Sequence, residues 1–173
     1  ELWQSLNNIS EIAISAPTSS GKSFIIKQFL INEFSIKNEY KVLYVVPSRA
    51  LINQVSEDFK SELSFDVHIK TSFVEENEIF DKEIYVLTPE RCIKLLSSNI
   101  EVNFVFIDEI QGIEDVFGRG LTFEYVFNEL SLKFPHAKFV SAGPNIDNPE
   151  KSIERLNESY YSELVVQNLK FKS

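Results

Sequence analysis

The stretch Ala16–Ser23, APTSSGKS, contains residue types that can hold a phosphate group. It stands between an apolar run and a helical pattern, and this strand–loop–helix context is what a phosphate-binding loop requires. Its backbone N–H groups from Ser19 onward would point at phosphate oxygens, and Gly21 would allow the backbone to approach closely. Lys22 would reach the β- and γ-phosphates, and Ser23 would place a hydroxyl on Mg²⁺. The alternative is a serine-rich turn that ends in Gly-Lys-Ser by chance.

A second group that can do chemistry is the acidic pair in the run VFIDEIQ. Asp108 would hold Mg²⁺, directly or through water, and Glu109 would polarise an attacking water. An unpaired charge at the end of a buried strand is costly, so a bound cation would supply the partner that the pair needs. The alternative is a strand end that simply emerges into solvent.

Short apolar runs that alternate with helical patterns must position these groups. We interpret as strands the runs EIAISA, KVLYVV, FDVHIKT, EIYVLT, VNFVFID and AKFVSA. The run ELVVQNL is either a last strand or the start of a linker. Helical spacing marks residues 2–9, GKSFIIKQFLINEFSIK, SRALINQVSEDFKSEL, PERCIKLLSS, LTFEYVFNELSLKF and NPEKSIERLN. Ser48 is a plausible N-cap, and Pro89 suits a first helical position.

This order of elements predicts an α/β fold, with a mostly parallel sheet and helices on both faces. Ligands of such folds bind beyond the carboxyl ends of the strands. The informative residues therefore follow the strands, in the stretches SAPTSSGKS, PSRALINQ, TPER, DEIQ and SAGPN.

Composition limits the class of protein. The chain has 173 residues, 43% of them hydrophobic, which suits one compact domain with a substantial core. Its net charge of −9 counts against a simple nucleic-acid-binding module. The single cysteine fits a reducing compartment and no apolar run is long enough to span a membrane, so we expect an intracellular, cytoplasmic protein without a membrane partner. The first residue, Glu1, and the absence of Met indicate a piece of a longer chain.

Several residues receive a structural interpretation. The acidic residues of segment 75–83 are interpreted as a solvated loop; they are Glu75, Glu76, Glu78, Asp81 and Glu83. Cys92 lies on an amphipathic helical pattern and is interpreted as a small buried hydrophobe. His68 and His136 are isolated, so the sequence predicts no metal site built from His or Cys.

Taken in order along the chain, the stretches after the strands resemble the first RecA-like lobe of a superfamily 2 DExH/DEAD-box helicase. Ala16–Ser23 match motif I, in which that superfamily commonly has alanine first. Pro47–Gln54, PSRALINQ, match motif Ia, and Thr88–Arg91, TPER, match motif Ib. Asp108, Glu109, Ile110 and Gln111 stand where the DExH box stands, and Ser141, Ala142 and Gly143 where motif III stands. The segment RGLTFE, residues 119–124, is similar to a segment of the superkiller-type branch.

This resemblance implies an ATP-binding lobe that hydrolyses Mg-ATP to move along, or remodel, RNA or DNA. It implies ATP binding by Ala16, Pro17, Thr18, Ser19, Ser20, Gly21, Lys22 and Ser23. It gives Lys22 and Glu109 catalytic roles, and Ser23 and Asp108 the metal. It assigns coupling between lobes to Ser141, Ala142 and Gly143, and backbone contacts with nucleic acid to Arg49, Thr88 and Arg91. It also implies that residues 1–173 form a single domain, and that a second RecA-like lobe with an arginine finger follows Ser173.

Two alternatives stay open at the level of sequence. Gln111 and Gly143 depart from the usual His or Asp and Thr of their motifs, which allows a nucleotide-binding switch or scaffold lobe without motor activity. Another phosphate-loop class, such as a small-molecule kinase or a transport ATPase, is the second alternative. Motifs Ia and Ib argue against the kinase, and the absence of an LSGGQ-like stretch argues against the transporter. For Arg49 and Arg91, the alternative to nucleic-acid contact is a salt bridge at the surface or within the domain.

Overall fold

The computed structural model describes residues 2–8, 11–15, 21–74, 78, 80–108, 119–143 and 164–168, and it describes only the backbone at 2, 11–15, 119–124, 143 and 164–168. The helices are α1 (Leu2–Asn8), α2 (Lys22–Ile36), α3 (Arg49–Glu62), α4 (Pro89–Leu96) and α5 (Arg119–Lys133). The strands are β1 (Glu11–Ser15), β2 (Tyr40–Val45), β3 (His68–Lys70), β4 (Lys82–Leu87), β5 (Phe104–Ile107), β6 (Lys138–Gly143) and β7 (Leu164–Asn168). The helix expected at NPEKSIERLN lies outside the described residues.

The described strands form one sheet in the order β3–β4–β2–β5–β6–β1–β7. Each of its pairings is parallel. Parallel neighbours require crossover connections, which helices commonly supply. The predicted α/β fold with a mostly parallel sheet is therefore confirmed.

Register brings the carboxyl ends of the central strands to one edge of the sheet. Val45 at the end of β2 pairs with Ile107 at the end of β5, and β4 ends level with β2. Ile107 pairs with Ser141 in β6, and Ser15 at the end of β1 pairs with Gly143. The residues that follow β2, β4 and β5 therefore lie along the same edge.

Two apolar clusters pack on opposite faces of the sheet. One contains buried side chains of α1, α2 and α3, and the other contains buried side chains of α4 and α5. Successive residues of β2 alternate between them: Val42 and Tyr44 face the first cluster, and Leu43 and Val45 face the second. Burial on both faces explains why KVLYVV is a continuous apolar run. Cys92 is fully buried in the second cluster, as predicted.

Capping and proline residues determine where two of the helices begin. Ser48 caps α3 by accepting a hydrogen bond from the Leu51 N–H, and Pro89 opens α4.

The strand expected over FDVHIKT covers only His68–Lys70, because a turn occupies the residues before it. In that turn the Val67 N–H donates to the Ser64 carbonyl oxygen at 3.2 Å.

The interpretation of the acidic segment as a solvated loop is wrong for Glu83. This residue lies in β4 and is completely buried, whereas Glu78 and Asp81 are exposed. Its carboxylate accepts hydrogen bonds from the Tyr85 hydroxyl at 2.8 Å and pairs with the Lys70 ammonium at 2.8 Å. Burial raises the pKa of Glu83, but hydrogen bonds from Lys70, Tyr85 and the Phe80 N–H, together with the Lys70 charge, outweigh it and hold the pKa below its usual range.

Candidate nucleotide-binding site

Helix α2 begins at a glycine whose backbone conformation explains the residue type. Gly21 has φ 72° and ψ 18°, in the left-handed region that residues with a Cβ adopt at a cost. A Cβ at this position would meet no heavy atom of the described residues within 4 Å. Glycine is therefore required here by its φ angle, and the described residues leave room for another group to approach its backbone.

The N-terminus of α2 presents polar groups that suit an anion. Gly21 at the N-cap offers no side chain that could accept a hydrogen bond from the amides of the first turn. These amides carry the positive end of the helix dipole, which favours bound phosphate. Lys22, the first residue of α2, is buried at 5% exposure, and Ser23 beside it is exposed.

Ser23 and Asp108 meet at the carboxyl edge of the sheet. The Ser23 hydroxyl Oγ donates to Asp108 Oδ2 at 3.3 Å. Asp108 directly follows β5, and its N–H donates to the Val45 carbonyl oxygen at 2.9 Å, which ties it to the end of β2. Hydroxyl and carboxylate oxygens are hard ligands of the kind that Mg²⁺ prefers, so this pair of donors fits that cation.

Tyr44 is a residue of this site that the sequence interpretation missed. Its ring is buried at 2% exposure between Phe59 of α3 and Phe106 of β5. Burial raises the pKa of Tyr44, and the negative charge of Asp108 adds to the rise, so the phenol stays protonated. The signal was present in KVLYVV, because a buried tyrosine hydroxyl within an aliphatic run needs a polar partner.

The motif III segment forms the end of β6. Ser141 and Ala142 are buried, and Ser141 pairs in register with Ile107 on one side and Ala13 on the other. This strand therefore lies between the strand that leads into Asp108 and the strand that leads into the phosphate-loop sequence. The position suits a coupling role, which stays a prediction.

The three residues predicted to contact nucleic acid differ in their exposure. Arg49 is exposed at the first position of α3. Thr88 is buried at 4% exposure, and the Arg91 guanidinium donates from Nη1 to the Thr71 carbonyl oxygen at 2.6 Å. Arg91 thus has a contact within the domain through a backbone carbonyl, and its predicted contact with nucleic acid stays a prediction.

Part of the predicted site lies outside the described residues. These positions are Ala16, Pro17, Thr18, Ser19, Ser20, Glu109, Ile110 and Gln111. Within the described ranges, no group of three or more His, Cys, Asp or Glu side chains is arranged to hold a metal ion. No helix in the described part of the chain is both long and apolar enough to cross a membrane.

Known proteins with similar sequences are helicases. The chain is 28% identical over 156 residues to the ATP-dependent DNA helicase Hel308 of Thermoplasma volcanium, a match that covers 86% of this chain and 23% of the relative. It is 31% identical over 153 residues to the DExH-box ATP-dependent RNA helicase DExH9 of Arabidopsis thaliana, covering 80% of this chain and 15% of the relative. The chain thus spans less than a quarter of the length of either protein.

Solved structures with a similar fold are also helicases. The DUF1998 helicase MrfA bound to DNA superposes with a TM-score of 0.66 at 18% identity, covering 95% of this chain and 26% of that chain. The Pyrococcus furiosus Hef helicase domain gives a TM-score of 0.66 at 16% identity, covering 96% of this chain and 37% of that chain. These likenesses establish the RecA-like helicase fold predicted from the sequence. The sequence profile of the DEAD/DEAH box helicase family matches residues 1–152, and the chain therefore belongs to that family.

Proposed function

We propose that this chain is the ATP-binding lobe of an ATP-dependent nucleic-acid helicase or translocase. The observation that carries the proposal is the contact between Ser23 and Asp108, which joins the start of α2 to the end of β5. Relatives that are named as ATP-dependent helicases of DNA and of RNA support the same activity. Because both nucleic acids occur among these names, the proposal extends to a nucleic-acid strand of either kind.

The residues at the carboxyl edge of the sheet have different roles in phosphoryl transfer. Lys22 and the first-turn amides of α2 bind the β- and γ-phosphates of ATP. Ser23 and Asp108 hold Mg²⁺, which when bound neutralises charge on the phosphate oxygens. Glu109 orients the attacking water and accepts its proton. Catalysis of this kind depends mainly on positioning and on electrostatic stabilisation, so small displacements of these groups matter.

Two further parts of the mechanism involve partners. Arg49 contacts the phosphate backbone of a single strand, because it is exposed at a helix start where the dipole already favours an anion. Such a contact carries no sequence information. A second RecA-like lobe supplies an arginine finger, and closure of the cleft between the two lobes drives movement.

The test is ATP hydrolysis by the full-length protein, with and without single-stranded RNA or DNA. We expect Mg²⁺-dependent turnover that single strands stimulate. The 173-residue chain alone should hydrolyse ATP about 10³–10⁵-fold more slowly, because it lacks the arginine finger. Brisk hydrolysis by the chain alone would favour a self-contained phosphate-loop enzyme. Nucleotide binding by the full-length protein without turnover would favour the switch or scaffold lobe that Gly143 and Gln111 leave open.

A further inference from the structure

We propose that a groove beside the end of α4 is a docking site for a partner protein. The peptide segment that it receives carries a carboxylate next to a large apolar side chain. This α4 groove has a volume of about 530 Å³ and is lined by Phe73, Val74, Lys94, Ser97 and Ser98. It lies on the side of the sheet that carries α4 and α5, since Phe73 packs against the apolar cluster there. None of these lining residues belongs to the proposed nucleotide site, so the inference goes beyond the proposed function.

One wall of the α4 groove is apolar and is anchored from beneath. Phe73 is half-buried, and its ring lies 6.3 Å from the ring of the buried Tyr85. The chain just before it is held by the Arg91 guanidinium, which donates to the Thr71 carbonyl oxygen at 2.6 Å. Val74, by contrast, is 61% exposed. Apolar surface that a folded domain presents to solvent beside polar groups is typical of interaction sites.

A cation stands on the other side of the α4 groove. Lys94 is exposed in the last turn of α4, and its ammonium has no ion pair or hydrogen bond with any residue that the structure describes. Other described lysines do pair with carboxylates, namely Lys27, Lys37, Lys41, Lys60, Lys70 and Lys82. An unpaired ammonium that faces an exposed apolar wall complements a carboxylate that lies next to an apolar side chain.

The remaining polar groups favour a peptide over a nucleic-acid strand. The Ser97 hydroxyl donates to the Lys94 carbonyl oxygen at 2.9 Å, and the Ser98 hydroxyl to the Leu95 carbonyl oxygen at 2.7 Å. The Lys133 ammonium donates to the Ser98 carbonyl oxygen. These carbonyls belong to the carboxyl end of α4, where the helix dipole places partial negative charge that repels phosphate. Proteins that bind single strands offer a continuous basic groove with stacking rings, whereas one free ammonium suffices for a peptide carboxylate.

The experiment begins with a selection of random short peptides, displayed on phage, against the full-length protein. We expect the enriched peptides to share an aspartate or glutamate next to leucine, phenylalanine or tryptophan. The most enriched peptide is then synthesised with a fluorescein label, and this probe is titrated with the protein by fluorescence polarisation. A selection that enriches no such pattern would refute the proposal.

Two substitutions at exposed positions locate the binding site of the probe. Val74→Asp places a charge on the apolar wall and should weaken the affinity for the probe about tenfold or more. Lys94→Gln removes the cation and keeps a long side chain. It should weaken the affinity about twofold to fivefold at low salt, and the difference from wild type should disappear at high salt. Lys60→Gln is the matched control, since Lys60 is an exposed lysine of α3 on the opposite side of the sheet, and it should bind the probe as wild type does.

Measurements on the same variants separate a local effect from a general one. Val74→Asp and Lys94→Gln should keep the wild-type melting temperature and Mg-ATP affinity, and a parallel loss of these would refute a local docking site. Wild-type affinity of Val74→Asp for the probe would also refute it. Single-stranded RNA and DNA are titrated as well. If the two substitutions weaken binding of a strand and leave binding of the probe unchanged, the α4 groove belongs to nucleic acid and the proposal is wrong.

Discussion

The Ser23 hydroxyl and the Asp108 carboxylate lie 3.3 Å apart, although 85 residues separate them in sequence. This contact depends on the order of strands, because β5 lies next to β2 and its carboxyl end shares an edge with the other central strands. Two proposed metal ligands, one at a helix start and one after a strand end, are thereby brought together. This geometry and the packing of buried residues in the sheet and helices lead to four predictions.

The first prediction separates nucleotide binding from hydrolysis. Glu109→Gln in the full-length protein should still bind Mg-ATP but lose most turnover, because the charge that orients water is removed while the phosphate site survives. Lys22→Ala should weaken nucleotide binding itself. Nucleotide affinity is measured by fluorescent-nucleotide titration, and turnover by a steady-state ATPase assay. Lys60→Ala is the control, since Lys60 is exposed on α3 and pairs with Glu57. Wild-type hydrolysis by Glu109→Gln would refute the assignment of Glu109.

The second prediction concerns the start of α2. Gly21→Ala should lower the free energy of unfolding by about 1–2 kcal/mol, because alanine is strained at a φ of 72°. Urea denaturation measures the change. Ser35→Ala, at an exposed position of the same helix, should change it by no more than about 0.5 kcal/mol. If Gly21→Ala is as stable as wild type, the left-handed conformation of Gly21 is not what requires glycine.

The third prediction compares two buried serines. Ser56 Oγ has no hydrogen-bond partner among the described residues and lies on the buried face of α3. Ser56→Ala should therefore leave stability unchanged or raise it by up to about 1 kcal/mol. Ser98 is also buried, but its hydroxyl donates to the Leu95 carbonyl at 2.7 Å and accepts from the Ile100 N–H. Ser98→Ala should lower stability by about 1 kcal/mol. Thermal and urea unfolding measure the stability of both variants. A Ser56→Ala variant that is less stable than Ser98→Ala would contradict this prediction.

The fourth prediction concerns pH and the carboxylate of Glu83. Its pKa is lowered on folding, so its charged form stabilises the fold above its usual value of 4.5, and this contribution is lost as the pH falls through the lower folded value. Glu83→Gln should lower stability by about 1–3 kcal/mol at neutral pH, because it removes the charge that pairs with Lys70 and replaces one of the two acceptor oxygens with an NH₂ donor. The difference from wild type should shrink in acid.

Unfolding curves from neutral to acidic pH measure this difference. Glu78→Gln is the control, because Glu78 is exposed in the same acidic segment. A gap between Glu83→Gln and wild type that does not change with pH would show that the charge of Glu83 is not what stabilises the fold.

The sequence was sufficient to locate the described strands, except that β3 is shorter than predicted, and to expect Ser23 and Asp108 at the same edge of the sheet. Apolar runs buried on both faces are easily recognised, and parallel strands place their following residues at a shared edge. That rule needs no knowledge of side-chain packing. The fold class and the family were confirmed for the same reason, because they depend on the order of elements and on short motifs.

Side-chain partners across the sheet could not be predicted in this way. The contact of Arg91 with the Thr71 carbonyl depends on the path of the chain after β3, for which no periodic pattern exists. Glu83 was assigned to solvent because its neighbours in sequence are acidic, yet the alternation of β4 turns it inward to Lys70. The face of β2 that the Tyr44 ring occupies could not be predicted either, because a run that is apolar on both faces does not reveal it.

The position of β1 in the sheet has a consequence for biosynthesis. Its described partners are β6 and β7, and β6 begins at Lys138, which is 123 residues after Ser15. At typical translation rates, roughly 6–25 s pass between the synthesis of these two residues. During that time β2, β4 and β5 can already pair with one another, whereas neither described partner of β1 has been synthesised. Nascent chains that stop short of residue 138 should therefore be unable to retain nucleotide, even though the phosphate-loop sequence has already been made.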